Sequence, residues 1–174
     1  WKDVDLREIF RFSKPELSAE AQEYLNKIKS GNAVSVHIRR GDYLSKDNLN
    51  KFGIFCTEHY YQLAIERITQ EQPDTCFFVF SDDIPWVQKN MCIPNAHLVD
   101  CHHGDDNWKD LFLMSCCTHN IIANSTFSFW AAMLNPNPNK MVFYPQRWFY
   151  WETPDIFPDS WISISEKEVE RKYL

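Results

Sequence analysis

The chain has 174 residues, 44% of them hydrophobic and 16% aromatic, which is enough for one compact domain around a single core. Its formal net charge of -6 argues against broad nucleic-acid binding, which needs a basic face, and it holds no run of about 18 apolar residues to span a bilayer. An anionic ligand therefore requires a local exception to the acidic background. The start Trp1-Lys2-Asp3 lacks the charged and apolar regions of a signal peptide, and a first residue other than Met predicts a natural chain that extends further upstream.

In chain order, Ala21, Tyr24, Leu25 and Ile28 fall at helical spacing, and Gly31 supplies a stop. Apolar, β-branched runs at 33–38, 76–80, 97–100, 120–123 and 141–144 read as strands. Between them, Tyr61, Ala64, Ile65 and Ile68 mark one helix, Trp108, Leu111, Phe112 and Ser115 a second, and Phe127, Trp130, Ala131 and Leu134 a third. Thr57 with Glu58 starts a helix, Asp83 with Pro85 a short one, and Asn135-Pro136-Asn137-Pro138 ends the last. Alternating apolar strands and helices predict an α/β fold, a Rossmann-like parallel sheet with helices on both faces. The expected organisation is a single domain over 1–174, with a helical segment over 1–30, a core over 31–150 and a tail over 151–174. The six cysteines (Cys56, Cys76, Cys92, Cys101, Cys116, Cys117) are irregularly spaced and mostly sit in apolar segments, so they read as buried, reduced thiols in a reducing compartment.

In such a sheet, ligands lie outside the carboxyl ends of the strands, so the residues directly after each apolar run carry the information. The first such loop, His37-Ile38-Arg39-Arg40-Gly41-Asp42-Tyr43, places two guanidinium groups and an imidazole at a strand end, with a glycine for a tight turn. The pair Arg39-Arg40 suits a diphosphate; the competing reading is two surface arginines paired with Asp42 or with other acids. Ser81-Asp82-Asp83 reads as a carboxylate pair for a purine edge, as a divalent-metal site, or as a helix cap before Pro85. Asn124-Ser125-Thr126, with Ser128 beyond, offers hydroxyls and backbone N–H groups at a helix start, an anion site or an ordinary cap. The run from Asp100 to Asp106 has the composition of a metal site without the spacing of zinc modules, and reads as a polar loop. Aromatics near 144–151 read either as stacking surface or as packing.

Together, the loops resemble the three motifs of the α-1,2-fucosyltransferase family. Residues 37–43 look like its H-x-R-R-G-D-Y signature, 79–87 are similar to its second motif, and Asp110–Ser115 followed by 121–130 resembles its third. The resemblance implies a GT-B glycosyltransferase of two facing Rossmann-like domains, of which this chain is the donor-binding half. It also implies inverting, metal-independent transfer of L-fucose from GDP-β-L-fucose to the 2-hydroxyl of a galactose-terminated glycan, with the N-terminal domain of the same protein as partner. On that resemblance Arg39 grips the diphosphate, Arg40 adds charge or anchors the loop, and His37 orients donor or loop. Asp82 and Asp83 read the guanine beside Ser81, while Asn124, Ser125, Thr126 and Ser128 complete the phosphate cradle. Asp42 is a candidate base, though it equally suits holding Arg39 or Arg40. The implied location is cytoplasmic or peripheral to a membrane in a bacterium and the Golgi lumen in an animal. Two other functions are a non-catalytic nucleotide- or sugar-binding module and a metal-dependent phosphoryl or nucleotidyl transferase at Asp82 and Asp83.

Overall fold

The structure is a computed structural model that describes residues 6–10, 12, 15–52 and 55–173. These residues form α1 (Leu6–Ile9), α2 (Ala19–Ser30), β1 (Asn32–Ile38), α3 (Lys46–Phe52), α4 (Glu58–Glu71), β2 (Thr75–Ser81) and α5 (Ile84–Asn90). They continue through β3 (Ala96–Val99), α6 (Trp108–Ser115), β4 (His119–Ile121), α7 (Thr126–Leu134), β5 (Val142–Pro145), β6 (Ile162–Ile164) and α8 (Glu166–Tyr173). All five strand pairings are parallel, in the order β3-β2-β1-β4-β5-β6. The chain thus builds outward from β1 in one direction and then returns to build in the other. This is the Rossmann-like α/β arrangement expected from the alternating pattern, and the reversal between β1 and β4 leaves a crevice at their carboxyl ends.

Strand periodicity divides the core into two layers. Val34, Val36 and Ile38 of β1, with Phe77 and Val79 of β2, face α4 and α5, where Tyr60, Tyr61, Ile65, Ile68 and Val87 are buried. The alternate positions Ala33, Phe78 and Phe80 face α2, α6 and α7, meeting Leu25, Ile28, Leu113, Met114 and Ala131. His37 belongs to this second face, which decides where its ring points.

The expected helix starts are present. Thr57 accepts from the Tyr60 N–H at 3.3 Å, Asp83 from the Trp86 N–H at 3.1 Å, and Ser18 from the Ala21 N–H at 3.1 Å. Gly31 does end α2, but in extended backbone with open space around its Cα, so no left-handed turn is needed there. The second layer also holds a buried amide network. The Asn120 amide donates to the Ser35 hydroxyl at 2.7 Å and the Met114 carbonyl at 3.0 Å, while Asn135 donates to Asn120 Oδ1 and the Cys117 carbonyl, both at 2.8 Å. It joins β1, β4, α6 and the end of α7.

Two sequence expectations change. The segment read as a tail after residue 150 supplies β6, which extends the sheet, and buries Phe157 and Trp161 against Ile122, Phe129, Val142 and Trp148 in a third apolar cluster. A three-residue strand carries no periodicity to read, and its place comes from pairing with β5. All six cysteines are free as expected, but only Cys117 is buried; Cys92 is exposed and the rest are half-buried.

Candidate active site

The loops after β1, β2 and β4 meet at one edge of the sheet, because Ile38 is in register with Ser81 and Val36 with Ile121. The two arginines then part company. Arg39 reaches Asp42 Oδ1 with Nη2 at 2.6 Å and Asp82 Oδ2 with Nη1 at 2.9 Å, and its guanidinium stays about one-third exposed. Arg40 is anchored instead: Nε lies 3.3 Å from Asp83 Oδ2, and the guanidinium carbon sits 3.5 Å over the Trp86 ring. The Arg40 backbone N–H donates to Asp82 Oδ1 at 2.9 Å, so one carboxylate holds both the loop backbone and the neighbouring arginine. The turn depends on Gly41, since a Cβ there would come within 2.5 Å of Asp82 Oδ2.

These contacts reassign several sequence-predicted residues. Asp82 and Asp83 are engaged by Arg39, Arg40 and the start of α5, and so organise the arginine loop. Ser81 serves this local turn, its hydroxyl accepting from the Asp83 N–H at 3.0 Å. Asn124 is buried and spends its amide on the carbonyls of Phe52 at 2.9 Å and Trp148 at 3.1 Å, so it braces loops. Ser128 is 1% exposed and donates to the Ser125 carbonyl at 3.3 Å. Ser125 and Thr126 remain at the start of α7, whose first turn receives no side-chain cap, and Thr126 is exposed. Uncapped N–H groups at a helix start attract an anion. The Tyr43 hydroxyl donates to the Asn124 carbonyl at 3.0 Å and ties the arginine loop to this helix start.

Beside Arg39 opens a crevice of about 300 Å³, lined by His37, Phe80, Asp82, Phe127, His102 and Asp110 among others. His37 packs its ring against Phe127 at 5.6 Å and is buried. Burial, helped by the Arg39 charge, pulls its pKa down to about 3, so the ring is neutral at physiological pH. Its Nδ1 is buried without a hydrogen-bond partner. Across the crevice, His102 Nδ1 lies 2.6 Å from Asp110 Oδ1, and burial raises the Asp110 pKa against the opposing pull of His102. Ligand atoms of Cys101, His102 and Asp110 fall within 4.8 Å of one another. The 2.6 Å His102–Asp110 separation is nevertheless that of a hydrogen bond; two nitrogen and oxygen ligands of one tetrahedral ion stand about 3.3 Å apart.

Sequence reasoning passed over Asp110 and His102 as chemistry, and over Tyr43 and Phe127 as site walls. The signal for His102 was available: it stands just after β3, at the same carboxyl edge as the loops that were chosen. Asp110 reaches the crevice from α6, a placement that only the packing of that helix decides.

The family model for glycosyl transferase family 11 matches residues 4–165. This chain belongs to glycosyl transferase family 11. The match agrees with the α-1,2-fucosyltransferase resemblance carried by its three motifs. Similar proteins include the O-antigen biosynthesis glycosyltransferase WbnK of Escherichia coli, 38% identical over 138 residues, covering 78% of this chain and 46% of the relative. An α-1,2-colitosyltransferase of Escherichia coli is 37% identical over 166 residues, 92% of this chain and 57% of the relative. Galactoside α-(1,2)-fucosyltransferase 1 of Saimiri boliviensis boliviensis is 30% identical over 127 residues, 68% and 35% respectively. The family 11 chain thus spans about half the length of the first two relatives. No helix among its described residues is long and apolar enough to cross a membrane.

Proposed function

We propose that this family 11 chain is the donor-binding half of a GT-B glycosyltransferase that moves a deoxyhexose, L-fucose or colitose, from its GDP-activated form to the 2-hydroxyl of a galactoside, with inversion and without a metal ion. The observation that carries the reading is the juxtaposition of the part-exposed Arg39 fork with a crevice that His37, Phe127 and Asp110 help to line. The diphosphate would lie between Arg39 and the uncapped start of α7, with Ser125 and Thr126 beside it. The base would enter the crevice, with His37 and Asp110 at its polar edges and Phe127 against a face. This moves base recognition from Asp82 and Asp83, which hold the arginine loop.

Charge separates between sugar and GDP as the glycosidic bond breaks, so a fixed guanidinium on the phosphate side favours the transition state over the ground state. Asp42 pairs with Arg39 in the free protein. Phosphate arriving at Arg39 displaces that carboxylate, which becomes a candidate acceptor for the proton of the attacking hydroxyl. Calorimetric titration with GDP tests the reading. Binding is expected below millimolar concentration, with Arg39→Ala weakening it about 100-fold, the scale for truncating one partner of a charge pair. No heat from millimolar GDP would overturn the donor assignment, and full turnover by Asp42→Asn would remove the base role.

A further inference from the structure

Asp110 stands in the first turn of α6, where a carboxylate ordinarily serves the N–H groups of its own helix. Here Asn107 gives the α6 start no side-chain cap, and the Asp110 carboxylate goes instead to His102, with Oδ1 2.6 Å from Nδ1. Asp110 borders the crevice beside Arg39, and among the described residues its Oδ2 takes no hydrogen bond. One oxygen is held and the other is open.

His102 is fixed for this contact from both sides. Its loop turns at Gly104, whose φ of 59° is left-handed, and Asp106 and Asn107 donate their N–H groups to the His103 and Gly104 carbonyls at 3.2 Å each. Cys101 Sγ lies 3.6 Å from Nδ1 and 3.9 Å from Nε2. Burial, with Asp110 beside it, pushes the Cys101 thiol up to about 11, so it keeps its proton at neutral pH. Because Asp110 already engages Nδ1, the S–H has Nε2 as its acceptor, which leaves the ring proton on Nδ1.

We propose that His102 is a positioning residue for the base: by donating Nδ1–H to Asp110 Oδ1 it holds that carboxylate ionised and leaves Oδ2 to accept from the N–H edge of a guanine. A buried carboxyl with no partner would take up a proton and turn one oxygen into a donor, which reverses its bonding toward such an edge. The other charged groups nearby do not replace His102. Arg39 pairs with Asp42 and Asp82, the exposed His103 faces Asp100 at 4.0 Å, and Glu20 of α2 acts on Cys101. The inference rests on the donor-site reading and adds to it the residue that sets the charge of its base contact.

Long-range proton–nitrogen NMR of the imidazole in the unaltered protein should find a proton on His102 Nδ1; a bare Nδ1 would place that proton on Asp110 and overturn the inference. In calorimetry at pH 6.5, His102→Ala should bind GDP about tenfold more weakly than the parent, the scale for losing a hydrogen bond to a charged group. Without His102, burial and the Asp100 charge still push the Asp110 carboxyl up, so it holds a proton at pH 6.5 and releases it as pH rises. The deficit, measured against the parent at the same pH, should therefore close by pH 8.5. His102→Asn, which returns an N–H near the place of Nδ1–H, should restore most of the affinity at pH 6.5. Inorganic pyrophosphate has no base and should bind parent and His102→Ala alike. A deficit that persists at pH 8.5, or that pyrophosphate shares, would make His102 a packing residue and overturn the inference. The ring spectrum needs no variant, so it decides if His102→Ala does not fold. Asp110→Asn separates the two readings: unchanged GDP affinity there removes the base site and this inference with it, whereas a loss there with none in His102→Ala removes this inference alone.

Discussion

Adjacent arginines with the same chemistry take different tasks because their surroundings differ. Arg40 is fixed between Trp86 and Asp83, so Arg40→Ala should cost about 1–2 kcal/mol of stability, the range for a desolvated cation–π contact. The loss should be non-additive with Trp86→Ala in denaturant midpoints, while GDP affinity falls less than in Arg39→Ala. His37 gives a pH signature. Its folded pKa is lowered to about 3 from an ordinary 6.5, so between those values the unfolded chain binds a proton that the folded chain refuses. Stability from this residue is complete above pH 6.5 and falls as pH drops through the window, by about tenfold in the folding constant per unit. Urea unfolding at pH 7.5 and 5 should show that dependence flattened in His37→Gln.

At the scale of elements, the arginine loop is aimed by what lies under it. Asp82 ties the end of β2 to the loop after β1, Tyr43 ties that loop to the start of α7, and Asn124 ties the end of β4 to the residues around Phe52 and Trp148. Beneath them, Asn120 and Asn135 join β4 to α6 and to the end of α7. Asn135→Ala would leave the Cys117 carbonyl and Asn120 Oδ1 buried without this donor, and should cost about 2–4 kcal/mol in chemical denaturation. A loss within a few tenths of a kcal/mol would show that water replaces the amide.

At the scale of the whole molecule, the segment after residue 150 closes the sheet and caps the third apolar cluster. Trp161→Ala should cost about 3–5 kcal/mol, the usual range for a large aromatic lost from a core. A chain ending at 150 loses β6, Phe157 and Trp161 together, and should show neither near-ultraviolet circular dichroism nor a cooperative thermal transition. Retention of both would mean that the first five strands hold the fold alone. Much of the architecture was legible because long, strongly apolar strands and 3.6-residue stripes read the same in isolation as in the fold: β1, β2, α4 and α7 fall where their patterns place them. The short elements α3, β6 and α8 went unread because packing and pairing, not propensity, hold them.

The sequence by itself determined the order of the longer strands and helices, the carboxyl-edge position of the three motifs, and the family. Those depend on local periodicity and on residue identity at fixed spacing. Only the tertiary structure decided which polar groups at that edge are already bonded within the chain. Asp82, Asp83, Asn124 and Ser128 carry the chemistry of a cradle, yet neighbours distant in the chain consume their hydrogen bonds. Asp110 and His102 line the crevice beside Arg39 because a packed helix and an adjacent strand end bring them there. A side chain's type is written in the chain, whereas its remaining valence for hydrogen bonds is set by every group that packs around it.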